Sequence, residues 1–221
     1  MADITQNLKQ FKSELPEEVT LVAVSKTKPN EDLQEAYDAG QRIFGENKIQ
    51  EMTDKWEALP KDIQWHMIGH VQTNKVKYMA PFVHLIHAVD SFKLLKEINK
   101  QAKKNNRSIN CLIQIKIAEE DSKFGLSTED AVQLILSPEV SQLSNINIRG
   151  LMGMATFTDD EKQLRSEFKI IKSAFDELKN KIEGFNTLSI GMSGDYQIAI
   201  QEGGTMVRIG SSIFGERNYQ H

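Results

Sequence analysis

The chain has 221 residues, 39% of them hydrophobic, enough for one substantial core of the size an α/β barrel fills as a single domain. Its net charge is −4 and its pI about 5.8, and no Lys/Arg-rich run stands out, which argues against a nucleic-acid footprint. No stretch approaches the ~18 consecutive apolar residues of a membrane span. The start has no basic segment followed by an apolar run, and Cys111 is the only cysteine, so a cytoplasmic protein without an internal disulfide is expected.

Residues 3–14 read as a short leading helix. After Pro16, short apolar runs alternate with longer amphipathic ones. The strand candidates, in order, are "VTLVAVS", "RIFGEN", "IQWHMIG", "VHLIHAVD", "NCLIQIKI", "INIRGLMGMA", "TLSIGMS" and "TMVRIGSSIFG". Between them, helices are expected over 31–39, with Asn30 as N-cap and a stop at Gly40, over 91–104, and over 128–136 behind the capping box "STED". The stretch from Asp159 to Gly184 carries apolar residues at 164, 168, 171, 175 and 178, which is helical spacing. Strands that alternate with helices pair in parallel, and eight such units close a (β/α)8 barrel. The rival, an open doubly wound sheet, lacks its Gly-rich turn, because "SKTKPN" follows the first strand. The expectation is one barrel domain over residues 1–221.

In such a barrel functional side chains collect at the C-terminal ends of the strands. The first strand ends on Ser25 and Lys26. A lysine there reaches the barrel mouth with its stem on apolar walls, and desolvation lowers its pKa from the usual ~10.4. The neutral amine can form a Schiff base with an aldehyde. Alone, the residue reads first as a solvated surface charge, and Lys28 as such a charge or a supporting one. Strands seven and eight end in "GMSGD" and "RIGSS", Ser/Gly turns whose backbone N–H groups suit a phosphate, the group that barrels often bind at that place. Arg208 lies in an apolar strand. It is either half of an ion pair with a barrel carboxylate or a donor to an acceptor atom on a flat ring ligand. Cys111, within "INCLIQIKI", reads as a buried, inert thiol.

"AVSKTKP", "FGENKIQE", "WHMIGHVQTNK", "GLMGMA", "LSIGMSGDY" and "VRIGSSIFG" together resemble the pyridoxal-phosphate homeostasis protein family, from about Val19 to Gly215. These are single-domain relatives of the alanine racemase barrel, fold-type III. The resemblance implies pyridoxal 5'-phosphate held as a Schiff base on Lys26. It implies phosphate contacts from Ser193, Gly194, Gly210 and Ser211, the last where the family often has threonine, and Arg208 facing the pyridine nitrogen. It also implies a pocket lined by Asn47, His70 and Met152, whose ordinary readings are a turn amide, a strand-end histidine and core packing. Lys123 lines the entrance or is a solvated loop lysine. The implied function is a non-catalytic carrier that buffers the cofactor and hands it to apoenzymes that use it, with no nucleic acid or membrane as partner, and as a monomer. An arginine opposite the ring nitrogen gives a weak electron sink, and the chain ends too soon after its eighth strand for the racemases' added β-domain with its second base. The alternatives are an amino-acid racemase with another base, and a Schiff-base aldolase acting on a phosphorylated sugar.

Overall fold

The computed structural model describes residues 3–119 and 124–216, and Lys123 lies outside them. Eight parallel strands close a barrel in chain order. They are β1 (Thr20–Val24), β2 (Ile43–Glu46), β3 (Gln64–Met67), β4 (Leu85–Val89), β5 (Ile109–Gln114), β6 (Ile146–Met152), β7 (Thr187–Met192) and β8 (Met206–Ile209). Closure is made by β8 on β1, with Val22 opposite Arg208 and Ala23 opposite Ile209. The (β/α)8 barrel and its leading helix are therefore as the alternation of segments predicts.

The helices are α1 (Ile4–Glu14), α2 (Asn30–Asp38), α3 (Ile49–Ala58), α4 (Val76–Met79), α5 (Phe92–Lys104), α6 (Thr128–Ile135), α7 (Pro138–Ser141), α8 (Glu161–Lys179), α9 (Tyr196–Gln201) and α10 (Ser211–Phe214). Local chemistry explains several starts. Ser91, Ser127 and Asp160 each turn a side-chain oxygen onto the first N–H groups of α5, α6 and α8. The five apolar positions of α8 are all buried against the barrel: Leu164, Phe168, Ile171, Phe175 and Leu178.

Three expectations need correction. Asn30 is the first residue of α2 rather than its cap; the N-cap is Pro29, which contributes no side-chain bond. The last strand does not run on to Gly215. It stops at Ile209, the chain turns at Gly210, and "SSIF" forms the single turn α10, whose Ile213 and Phe214 are buried. Helix α8 ends at Lys179, and Gly184 lies beyond it in a turn at φ 73°.

Two apolar layers result. Between strands and helices pack Phe44, Trp65, Phe168, Leu33 and their neighbours. Inside the barrel a smaller cluster holds Val22, Leu85, Ala88, Leu112, Met152 and Met206. Strands covered on both faces read as near-continuous apolar runs, which is how they are recognisable in the sequence. Polar exceptions inside include His66, His87, Gln114, Ser189 and Arg208, all buried. Cys111 is fully buried, and burial pushes its thiol up to about 12, which leaves it protonated and inert. Among the described residues, no helix is long and apolar enough to cross a membrane.

Candidate cofactor site at the C-terminal mouth

Lys26 stands two residues past the end of β1, and its loop is held on both sides. Ser25 Oγ donates to Glu46 Oε1 at 2.6 Å, and the buried Lys55 Nζ bonds the Ser25 carbonyl, Glu46 Oε1 and Glu51 Oε1 at 2.7–2.8 Å. On the other side Thr27 has φ 64°, the left-handed region that β-branched residues avoid, and its N–H donates to Glu51 Oε1 at 2.6 Å. Glu46 has no exposed surface, and burial pushes it up to about 7 against the opposing pull of Lys55 and Ser25. Of its two readings, Lys28 takes the supporting one. Its Nζ donates to the carbonyls of Phe214 and Glu216 at 2.8 and 3.0 Å, tying this loop to α10.

The two final turns lie beside it, because β7, β8 and β1 are consecutive around the barrel. Ser193 Oγ accepts from Gly210 N–H at 3.4 Å, and Asp195 Oδ1 accepts from Met192 N–H at 2.6 Å, so the turns brace one another. The N–H groups of Ser193 and Gly194 have no acceptor among the described residues. A Cβ placed on Gly194 would meet nothing within 4 Å and would point into open space, whereas one on Gly210 would press on Val24 at 3.3 Å. Gly194 thus leaves room for a ligand, and Gly210 permits close approach to β1.

Arg208 reaches the same space from β8. Its Nη1 donates to the Ser189 carbonyl (2.9 Å) and Oγ (2.6 Å), and its Nη2 to the Gly153 carbonyl (3.0 Å). No carboxylate forms an ion pair with it among the described residues, so the ion-pair reading does not hold there. Burial lowers its pKa to about 10, still far above neutrality.

These groups converge on one cavity of about 640 Å³, lined by Lys26, Asn47, His70, Ser193, Gly194, Arg208, Gly210 and Ser211 among others. That volume lies in the ~300–1,000 Å³ range of small-molecule sites. Asn47 follows β2, where Gly69 comes so near that a Cβ there would stand 2.5 Å from the Asn47 carbonyl oxygen. His70 is exposed, stacks on Phe124 at 4.7 Å and lies 3.6 Å from Asp90. Met152 does not line the cavity. It is fully buried in the inner apolar cluster, and Met154, two residues on, takes the place at the wall. The strand's alternation puts both on the inward side, and the deeper of the two is packed over by its neighbours.

The sequence reading does not single out several of the lining residues. Gln114 ends β5 and donates to the Phe124 carbonyl at 3.0 Å. Thr156 and Phe157 sit in the loop after β6, which Glu167 of α8 holds by accepting from Thr156 N–H and Oγ1, both at 2.7 Å. The first could have been found as a polar residue closing an apolar strand; the loop residues carry no such signal.

A reactive-position lysine, an arginine with donors to spare and an anion cup in one barrel mouth fit pyridoxal phosphate in its amine-reactive aldehyde, ring nitrogen and phosphate. The fold and site define a class, the alanine racemase N-terminal domain, whose family model matches residues 1–218. Within that class the similarity is specific. The chain is 40% identical over 201 residues to the pyridoxal phosphate homeostasis protein of Aquifex aeolicus (strain VF5), covering 90% of this chain and 87% of the relative. It is 38% identical over 236 aligned positions to that of Escherichia coli (strain K12), covering 99% of each. The chain belongs to the pyridoxal phosphate homeostasis protein family. PipY of Synechococcus elongatus PCC7942, 34% identical, superposes over 96% of this chain and 100% of its own, with TM-scores of 0.90 for its structure without PLP and 0.87 for that with PLP bound. An alanine racemase from Clostridium difficile 630 shares the fold at a TM-score of 0.83 and 16% identity; the match covers 99% of this chain and 61% of the racemase.

Proposed function

We propose that this protein binds pyridoxal 5'-phosphate at the C-terminal barrel mouth, as a carrier and buffer of the cofactor, with Lys26 forming a Schiff base with its aldehyde. The observation that carries the reading is the convergence of Lys26, Arg208 and the Ser193–Gly194 and Gly210–Ser211 turns on one cavity. The amine nitrogen of Lys26 joins the aldehyde carbon, and water leaves. The N–H groups of Ser193 and Gly194, which have no acceptor among the described residues, take the phosphate together with the turn at Gly210 and Ser211. Arg208 has only donors, so it meets the lone pair of the pyridine nitrogen and keeps that nitrogen unprotonated. The bound cofactor supplies an electron sink, and an unprotonated ring makes it a weak one. Weak electron withdrawal favours holding the cofactor over carbanion chemistry and supports a non-catalytic role. The same reading makes residues 1–221 one barrel domain, monomeric and cytoplasmic, with the apoenzymes that use the cofactor as transient partners.

The test is direct. Purified protein mixed with pyridoxal phosphate is expected to turn yellow, and borohydride is expected to bleach the band while fixing the cofactor mass on the peptide that contains Lys26. In Lys26→Ala the visible band is expected to vanish, with weaker, noncovalent retention through the phosphate turns. An unchanged band in that variant assigns the cofactor to another amine. Sustained interconversion of free D- and L-amino acids at enzyme-like turnover would replace the carrier reading with a racemase.

A further inference from the structure

We propose that His66, His87 and Ser189 form a buried positioning relay through the barrel interior, whose hydrogen bonds run in one direction and fix the Arg208 guanidinium. The target assigned to Arg208, the cofactor's ring nitrogen, rests on the function proposed above; the relay itself does not. Ser189 Oγ lies 2.6 Å from Arg208 Nη1 and 3.0 Å from His87 Nδ1, and His87 Nε2 lies 3.0 Å from His66 Nδ1. All four side chains are at most 3% exposed.

The direction follows from donor arithmetic. A guanidinium only donates, so Ser189 Oγ accepts from Arg208. The serine proton then has one acceptor among the described residues, His87 Nδ1; turned the other way it would be buried without a partner. His87 is therefore neutral and protonated at Nε2. That proton goes to His66 Nδ1, which makes His66 neutral and protonated at Nε2 as well. His66 Nε2, where the line ends, is buried without a partner among the described residues. His66 is also part of a separate cavity at the N-terminal mouth, lined by His84, Asn110 and Arg149, so the chain of bonds ends on the far side of the barrel. Burial lowers the pKa of both rings, His66 to about 3, and His66 and then Arg208 add to the effect on His87.

The consequence lies at Arg208. Of its five N–H donors, three are held by Ser189 and the Gly153 carbonyl, which fixes the plane of the fork and leaves two donors for a ligand. His66, His87 and Ser189 do not line the cofactor cavity, so they act through Arg208 alone.

Two measurements test this. In ligand-free protein with 15N-labelled histidine, His66 and His87 are expected as neutral rings protonated at Nε2 at neutral pH. Either ring charged, or protonated at Nδ1, overturns the relay. Because this readout uses the wild-type protein, it decides the matter even where a variant fails to fold. In Ser189→Ala the separate Nη signals of a fixed Arg208 are expected to average. Pyridoxal phosphate is expected to bind about tenfold or more weakly, as a lost bond to a charged donor implies, with an altered pH profile of the visible band. Ser189→Thr, which keeps the hydroxyl, is expected to restore both. A folded Ser189→Ala protein with unchanged Arg208 signals, affinity and band would overturn the proposal. A wild-type protein that takes up no cofactor would sink the proposed function, while the histidine and arginine signals would still judge the relay.

Discussion

The position of Lys26 depends on side chains it does not resemble. Glu46, Glu51 and Lys55 hold the residues on either side of it through bonds of 2.6–2.8 Å. Lys55→Met removes the cation that two carboxylates share in a buried setting, and is expected to destabilise the protein by about 3–5 kcal/mol, measured by chemical denaturation. Glu46 gives a signed pH dependence. Its folded pKa is raised to about 7, so the folded state holds the proton that the unfolded chain has released. Its contribution to stability is complete below the ordinary carboxylate range and is lost as pH rises through about 7. Glu46→Gln is expected to flatten the stability profile in that window, a result that denaturation midpoints across pH would check. In the sequence, "FGENKIQE" could be matched to a family, but nothing in it says that Glu46 and Glu51 close around residue 26. Arg208 is the converse: its burial was legible from the apolar strand around it, while its neutral partners, Ser189 and Gly153, were not.

At the scale of elements, the loop after β6 is the instructive one. It brings Met154, Thr156 and Phe157 to the cavity, and it is anchored from behind by α8 through the buried Glu167. Glu167→Ala leaves two donors of Thr156 without their acceptor and is expected to cost about 1–3 kcal/mol of stability, together with a weaker cofactor affinity in absorbance titrations. Asp160, which caps the same helix through Lys162 and Gln163 N–H, does not touch that loop anchor. Asp160→Ala is expected to cost about 1 kcal/mol in thermal or chemical unfolding with the affinity little changed. The helix was legible from its period of apolar residues. The use of its one buried acid was not, because Glu167 falls beside the apolar stripe and looks like any other acid of a polar face.

At the scale of the molecule, closure of the barrel makes the site. Strands β1 and β8, separated by most of the chain, lie side by side, and so Lys26 meets the turns at 193–194 and 210–211. Closure also depends on Gly150, where a Cβ would come within 1.7 Å of the Thr187 carbonyl oxygen. Gly150→Ala is expected to force β6 from β7 and to lower the unfolding midpoint far more than an alanine in an exposed helix, a contrast that thermal melts would measure. The sequence by itself determined the alternation of eight strands with helices, the parallel barrel that follows from it, and the strand ends on which Lys26, Ser193 and Gly210 fall, because hydrophobic period and turn chemistry are local properties. Only the tertiary structure decided that Met152 packs inward and Met154 faces the cavity, that "SSIF" winds into a helix, and that two histidines and a serine stand in line behind Arg208. Those outcomes depend on which side chains meet across the closed barrel, and contacts between distant segments leave no period in the chain.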